Sequence, residues 1–283
     1  MVGLCILMFC LGKYGSSQSS KANFHIYNAM MFHNMPNLKT EGLSNIFMIY
    51  DDSVLVKDNR DPSNVNKRSL SMGKLKNMAL KYNNTNIPIC FDIESWWLFK
   101  SYSGESVKKY LNVIKQFRIF NESKKVGFYG VLPYSDIYLY QYLVGNKQKD
   151  WMAQWNGINN GLSSIAKSVD IAYPSCYTRG SNKAVWFKTF LYQVNKIKAL
   201  NPNLPIYVFI WPQFYSHDNA KINNTFIGYD MWKFELEMCY KYADGIVIWS
   251  PPYNLSTRSP LMWNSKAPWW IATQDFIKSY NLK

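Results

Sequence analysis

Two carboxylates in one short apolar stretch are the residues best placed to do chemistry. Asp92 and Glu94 follow Ile89-Cys90-Phe91 at positions i and i+2. Alternate residues of a strand share a face, so a strand here brings both acids to one face, about 6–7 Å apart along the chain. Two acids on one inward face raise the pKa of one of them and leave a proton donor beside a charged carboxylate. Glycoside hydrolysis requires such a pair.

The same spacing also fits a metal site, or two acids that pair with Lys or Arg. The three histidines, His25, His33 and His217, show no ligand spacing. No Ser/His/Asp or Cys/His signature of nucleophilic catalysis is present in the sequence. We therefore expect no metal and no cofactor, and interpret Asp92 and Glu94 as candidate catalytic residues.

Seven short segments are predicted to be buried parallel strands, because they are apolar on both faces. They are Asn23–Asn28, Ile46–Tyr50, Pro88–Ile93, Lys125–Tyr129, Val169–Tyr173, Pro205–Ile210 and Gly245–Trp249. Apolar residues recur at helical spacing in the segments Ser106–Phe120, Ala184–Leu200 and Trp269–Tyr280, which predicts helices there. Strand–helix alternation without a glycine-rich phosphate turn predicts an α/β fold, a TIM-like (β/α) barrel of seven or eight parallel strands in a single domain.

Aromatic residues stand where the predicted strands end. In a β/α barrel the chemistry lies at the C-terminal ends of the strands. The fourth strand ends at Tyr129, the fifth runs on to Tyr177, the sixth continues through Gln213 to Tyr215, and the seventh ends at Trp249. Each aromatic residue alone is also typical of core packing. Together, at the mouth that carries the two acids, they predict a sugar-stacking cleft.

The chain of 283 residues is strongly basic, with 32 Lys and Arg against 18 Asp and Glu and a formal net charge of +14. Such a charge favours a polyanionic sugar, nucleic acid or anionic lipid as the partner. No nucleic-acid-binding module is visible. No apolar run reaches the roughly 18 residues of a spanning helix, which excludes a multi-pass membrane protein. We expect a polysaccharide or glycosaminoglycan partner and a monomeric chain.

The first residues are typical of a secretory signal. Val2–Leu11 is an apolar run followed by small polar residues, although no Lys or Arg precedes it. We predict a signal peptide over residues 1–18, a barrel domain over 19–283 and a secreted protein; a buried first strand is the alternative. Four glycosylation sequons predict a glycoprotein, and they begin at Asn83, Asn121, Asn223 and Asn254.

Three cysteines remain after residue 18, namely Cys90, Cys176 and Cys239. This odd number allows at most one disulfide. Cys90 and Cys176 stand in apolar strand contexts, so we expect both to be buried and inert.

The order of these motifs resembles the hyaluronidase family of β/α-barrel glycosidases, including uncharacterised relatives of that family. The resemblance extends from Asn23 to Pro251. Asp92–Trp96 is similar to the family's D-W-E-x-W stretch, Gly127–Gly130 to its G-x-Y-G strand, and Tyr173–Tyr177 to its P-S-x-Y segment. The segments 24–28, 46–51 and 245–249 are similar to its first, second and last strands.

The resemblance implies a role for each matched residue. Glu94 would protonate the glycosidic oxygen as the acid/base. Asp92 would orient the 2-acetamido group of the substrate, whose carbonyl oxygen attacks the anomeric carbon. Tyr177 and Tyr215 would hold the acetamido group, and Trp249 would form the floor under the sugar. The expected substrate-binding set is completed by Tyr129, Trp96 and Gln213.

The sequence departs from the family after the acids, because Trp97-Leu98 stands where the family has Arg-Pro. Hyaluronan, chondroitin and chitin-like glycans therefore remain alternatives. We predict a secreted glycoside hydrolase that cleaves β-linked N-acetylhexosamine glycans by a retaining, substrate-assisted mechanism. A catalytically inactive carbohydrate-binding protein on the same fold is the main alternative. A basic protein that coats anionic surfaces is a third.

Overall fold

The computed structural model describes residues 21, 24–61, 63–83, 85–99, 103–134, 136–145, 150–215 and 219–282. The predicted signal peptide and His217 lie outside the described residues. The strands are β1 His25–Met30, β2 Ser44–Asn45, β3 Phe47–Tyr50, β4 Leu55–Val56, β5 Ser69–Leu70, β6 Ile89–Asp92, β7 Val126–Phe128, β8 Tyr207–Ile210 and β9 Gly245–Ser250.

The helices are α1 Asp51–Val54, α2 Met72–Lys81, α3 Ser103–Phe120, α4 Asp136–Leu143, α5 Trp151–Asn160, α6 Ser163–Ser168, α7 Lys183–Leu200, α8 Tyr229–Tyr242 and α9 Pro268–Ser279. Two short 3₁₀ helices cover Leu38–Glu41 and Val65–Lys67. The three helices predicted from the sequence are confirmed as α3, α7 and α9. Sequence analysis did not predict α1, α2, α4, α5, α6 and α8.

Parallel pairing closes the strands into a ring. β1 pairs with β2 on one side and with β9 on the other, β9 pairs with β8, and β6 lies between β3 and β7. Only Ile46 separates β2 from β3, so these two form one barrel strand. Between β7 and β8 the ring is completed by three parallel bridges, Tyr129 to Tyr173, Ala172 to Ile206 and Ser175 to Phe209. In the described chain, seven strand positions therefore make the barrel.

The fifth barrel strand is shorter than predicted. Val169 belongs to the end of α6, because its N–H donates to the carbonyl of Ile165 at 3.1 Å. Pro174 then interrupts the ladder, since proline has no N–H to donate to a neighbouring strand. Within the predicted strand Val169–Tyr173 only residues 172 and 173 make bridges, and a further bridge at residue 175 lies beyond its predicted end.

The inside of the barrel forms an apolar cluster separate from the core beneath the helices. Cys90 of β6, Phe209 of β8 and Val247 of β9 belong to the inner cluster, while their neighbours along each strand pack outwards. This alternation has a period of two residues. Asp92 lies two residues after Cys90, so the strand directs it to the inner face at the C-terminal end.

The outer core packs the helices against the barrel and against one another. Trp232 of α8 is fully buried and donates from Nε1 to Oγ1 of Thr273 on α9 at 2.8 Å. The caps follow from the sequence: Asn182 accepts from the N–H groups of Ala184 and Val185 at the start of α7. α9 begins at Pro268, where the missing N–H costs nothing.

All three cysteines in the described chain, Cys90, Cys176 and Cys239, are free and buried. Burial raises the pKa of each thiol well above its ordinary value. The prediction that Cys90 and Cys176 are buried is confirmed. In the part of the chain that the structure describes, every helix is too short or too polar to span a bilayer.

Candidate active site

The two acids lie at the C-terminal end of β6. Asp92 is the last residue of this strand and is half-buried, whereas Glu94 is exposed and lines the cleft. Burial and then the neighbouring Glu94 carboxylate raise the pKa of Asp92 to about 8. Burial raises the pKa of Glu94 as well, while its hydrogen bond with Asp92 opposes that rise. The two carboxyl groups therefore titrate as a pair that retains one proton at neutral pH.

A third carboxylate lies near this pair. Asp51, at the start of α1, accepts a short hydrogen bond from Oγ of Ser95 and lies 3.5 Å from Nη1 of Arg68. Its negative charge adds to the rise in the pKa of both Asp92 and Glu94. Within the described ranges, the His, Cys, Asp and Glu side chains form no group of three that could hold a metal ion.

Tyr177 is the centre of an aromatic wall above the acids. Its ring stacks on Trp249, with centroids 5.8 Å apart and planes inclined by 20°. It meets Trp211 edge-on at 5.6 Å and Tyr215 edge-on at 6.0 Å. Tyr129 is 6.0 Å away, and its hydroxyl donates to Oγ of Ser175 at 3.2 Å. The aromatic residues from four strand ends thus meet at one place.

These groups line a cleft of about 380 Å³, within the size range of sites for small ligands. It brings together six of the predicted site residues: Asp92, Glu94, Tyr129, Tyr177, Tyr215 and Trp249. Charged and aromatic residues of the lining that the predicted site set does not contain include Trp97, Tyr134, Asp136, Arg179 and Trp211.

Two predicted substrate-binding residues do not line the cleft, and this part of the prediction is corrected. Trp96 is only 1% exposed, and its Nε1 donates to the carbonyl of Arg68 at 2.9 Å. Gln213 is also only 1% exposed; its Oε1 accepts from Nε1 of Trp211 at 3.2 Å, and its Nε2 donates to the carbonyl of Asn224. Both side chains form hydrogen bonds inside the protein. They therefore support the wall of the cleft and do not contact a ligand bound in it.

An ion pair forms another part of the cleft wall. Nε and Nη2 of Arg179 each donate to a different oxygen of Asp136 at 3.0 Å. The guanidinium also lies over the ring of Tyr215, 5.1 Å from its centroid. Both charged side chains are buried, at 7% and 9% exposure. The sequence shows Arg179 two residues after Tyr177, but its partner is 43 residues away.

The segment 175–178, which carries Tyr177, is fixed from behind by buried polar side chains. Nε2 of Gln193 donates to the carbonyl of residue 175 and Nε1 of Trp186 to that of residue 176, both at 3.0 Å. Oγ1 of Thr178 donates to Oε1 of Glu235 on α8 at 2.6 Å. Such a network holds Tyr177 in one orientation.

Larger cavities lie elsewhere on the molecule. One of about 490 Å³ adjoins the cleft on the far side of Tyr177 and Arg179, and another of about 820 Å³ lies at the N-terminal ends of the strands. The described lining of neither contains an Asp or Glu. A third cavity, of about 630 Å³ beside α9, has Glu41 as the one acid in its described lining. The smaller cleft brings Asp92 and Glu94 together and is therefore the candidate for acid/base chemistry.

No protein-family model matches the sequence, and a search of the curated proteins finds no relative. Among solved structures, the monoclinic crystal form of bee venom hyaluronidase is 11% identical, with a TM-score of 0.60 over 90% of this chain and 97% of that one. The same protein in complex with a hyaluronic acid tetramer is 13% identical, with a TM-score of 0.62 over 91% of this chain and 96% of that one. At such low identities the likeness concerns the fold, and it confirms a single-domain TIM-like barrel.

Proposed function

We propose that the protein is a glycoside hydrolase that cleaves β-linked N-acetylhexosamine glycans, with Glu94 as the acid/base. The observation that carries this proposal is the placement of Asp92 and Glu94 together in an aromatic-lined cleft, where burial and the Glu94 carboxylate raise the pKa of Asp92 to about 8. The place of the pair, at the C-terminal end of a barrel strand, is where such barrels have their chemistry. The barrel fold that the chain shares with bee venom hyaluronidase agrees with this assignment.

The proposed reaction is substrate-assisted and retains the anomeric configuration. Glu94, which reaches the cleft, gives its proton to the glycosidic oxygen as the bond from that oxygen to the anomeric carbon breaks. The carbonyl oxygen of the 2-acetamido group attacks the anomeric carbon and forms a cyclic oxazolinium ion. Water then opens this ion, and Glu94 takes the proton from the water, which restores the starting state. Substrate assistance is a known exception to the two-carboxylate scheme.

Asp92 has the complementary role in this proposal. Asp92 is the last residue of β6 and lines the cleft together with Glu94, so it could contact the acetamido group while Glu94 contacts the leaving group. When the shared proton is on Glu94, Asp92 is an anion that can accept the acetamido N–H and stabilise the positive oxazolinium ion. The hydroxyl groups of Tyr177 and Tyr215 would bind the acetamido group, and Trp249 would support the sugar ring.

Secretion, glycosylation and a monomeric state belong to the same proposal. The signal peptide over residues 1–18 would send the protein to the extracellular space, where such polymers occur. Asn121 is unsuited to carry a glycan in the folded chain, because it is only 3% exposed and its Nδ2 donates to the carbonyl of Ala79 at 2.9 Å. Asn83, Asn223 and Asn254 are the candidate glycosylation sites.

The experiment is to incubate the protein with hyaluronan, chondroitin and chito-oligosaccharides between pH 4 and 7 and to count new reducing ends. Proton NMR of the first product then gives its anomeric configuration. We expect cleavage of at least one glycan with the β-anomer formed first. A first-formed α-anomer would contradict the substrate-assisted mechanism. No new reducing ends, together with retained glycan binding, would favour the inactive carbohydrate-binding protein.

A further inference from the structure

The charge on the described wall of the cleft is opposite in sign to the net charge of the whole chain. Among the described residues that line it, four carry charge: Asp92, Glu94, Asp136 and Arg179. Arg179 and Asp136 neutralise each other through two hydrogen bonds of 3.0 Å. Asp92 and Glu94 hold one proton between them and keep one negative charge. The described wall is therefore net negative, although the chain carries +14.

A glycan that bears carboxylates would meet an unfavourable environment on this wall. Arg179 already uses Nε and Nη2 for Asp136, and its Nη1 is buried out of reach of solvent. A uronate in the cleft would lose its hydration without gaining a free cation from the described lining, and that loss is costly. It would also be repelled by the charge shared by Asp92 and Glu94. An uncharged sugar avoids both penalties.

Trp97 offers a surface for such a sugar. Its side chain lines the cleft and is 37% exposed, and its ring stacks with Phe99 at a centroid distance of 5.6 Å and an angle of 14°. Its main-chain N–H donates to Oδ1 of the buried Asn66 at 2.9 Å, which fixes the backbone under the ring. An aromatic face held in this way suits the apolar face of a pyranose ring.

We propose that the cleft takes an uncharged chain of N-acetylhexosamine units and that Trp97 is the platform on which one of these units stacks. This inference rests on the proposed function and names its substrate class. Among the described basic side chains, only Arg179 lines the cleft, and Lys39, Lys124 and Lys125, for example, line the cavity at the opposite end of the barrel. Polyanionic glycans bind such surfaces without reaching Glu94, and added salt weakens that binding.

The test compares two hexasaccharides of equal length, chitohexaose and a hyaluronan hexamer, at physiological salt. We expect kcat/KM for chitohexaose to exceed that for the hyaluronan hexamer by at least about tenfold. Trp97→Ala should lower kcat/KM for chitohexaose about three- to tenfold, mainly through KM, because a stacking contact is lost. Trp97→Phe should recover most of this loss. Tyr192→Ala is the matched control, since Tyr192 is 41% exposed on α7 and lies outside the cleft lining.

Two results would overturn the inference while leaving the proposed function intact. One is cleavage of the hyaluronan hexamer with a kcat/KM equal to or above that of chitohexaose. The other is a Trp97→Ala variant with the kinetics of the parent. If the parent cleaves neither glycan, the proposed function fails, and the two affinities still decide this inference. Chitohexaose binding of equal affinity in the parent and in Trp97→Ala would then contradict it.

Discussion

Oγ1 of Thr178 donates a hydrogen bond of 2.6 Å to Oε1 of Glu235, and both side chains are fully buried. Burial raises the pKa of Glu235 well above its ordinary value, which favours the neutral carboxyl group in the folded protein. The main-chain carbonyl of Thr178 accepts from the N–H of Tyr215 at 2.8 Å. Thr178 thus links α8 to Tyr177 and Tyr215, two of the tyrosines that line the cleft, since Tyr177 precedes it directly.

This relationship predicts how stability changes with pH. Because the folded pKa of Glu235 is raised, the folded state keeps a proton that the unfolded chain releases above about pH 4.5. The contribution of Glu235 to stability is therefore complete below that pH and falls as pH rises towards the folded pKa, by about 1.4 kcal/mol per pH unit.

Glu235→Gln removes this titration and keeps an acceptor for Thr178. Denaturant unfolding of parent and variant from pH 5 to 8 should show the parent losing stability relative to the variant. Glu235→Leu should cost about 1–3 kcal/mol, because it leaves the buried Thr178 hydroxyl without an acceptor. A parent and Glu235→Gln with parallel pH dependence would contradict a neutral Glu235.

Asp136→Asn should destabilise the protein strongly. The substitution leaves the guanidinium of Arg179 buried without its anionic partner, and breaking a buried pair in this way costs about 3–5 kcal/mol. Asp136→Leu combined with Arg179→Met should cost less than Asp136→Asn alone, because no buried charge remains. Urea unfolding of the variants measures this difference, and equal losses would show that the pair is not buried as the structure has it.

Tyr177→Phe removes the hydroxyl of Tyr177 and keeps its ring, so it distinguishes the role of one from that of the other. The ring keeps its stacking on Trp249, so the free energy of unfolding should change little. Turnover should fall about ten- to a hundredfold if the hydroxyl binds the acetamido group, by analogy with the loss of one donor to a transition state. Tyr192→Phe on the outside of α7 is the control and should keep full turnover. If Tyr177→Phe has the kcat of the parent, the hydroxyl of Tyr177 does not bind the acetamido group in the transition state.

Asp92→Asn should change the pH dependence of kcat/KM as well as its size. In the parent, the alkaline limb marks the loss of the last proton from the pair, near the pKa of about 8 found for Asp92. The neutral amide of the variant would not repel the charged form of Glu94, so the alkaline limb should move to lower pH. The maximum should also fall by about a hundredfold, because the anion that stabilises the oxazolinium ion is gone. A pH profile with an unchanged alkaline limb would show that the two acids are not coupled.

The sequence predicted the parts of the site that depend on local periodicity. Asp92 and Glu94 could be placed on one face because the strand period of two is set by backbone geometry and by the apolar residues before them. The same period does not continue beyond β6, where the chain turns. It could therefore not decide which of Trp96 and Trp97 faces the cleft, and the prediction chose the buried one.

The parts that depend on distant residues were not predictable in this way. Arg179 was missed because its place in the cleft wall depends on an ion pair with Asp136, which lies 43 residues earlier in the chain. Gln213 was assigned to the substrate because it stands at a strand end, yet Trp211 and Asn224 occupy its side chain. Helix α8 could have been predicted from the sequence, since its buried residues Trp232, Leu236 and Cys239 recur at helical spacing. Its buried Glu235 makes that apolar stripe less regular.

The central claim is that Glu94 moves the proton, and one comparison tests it most directly. Parent, Glu94→Gln and Glu105→Gln are assayed side by side for new reducing ends on the glycan that the parent cleaves best. Glu105 is an exposed acid of α3, paired with Lys109 at 2.8 Å, and serves as the matched control. We expect Glu94→Gln to lose at least about a hundredfold in rate, since general acid catalysis contributes about 10²–10⁴. Glu105→Gln should match the parent. Glu94→Gln with the turnover of the parent would contradict the account.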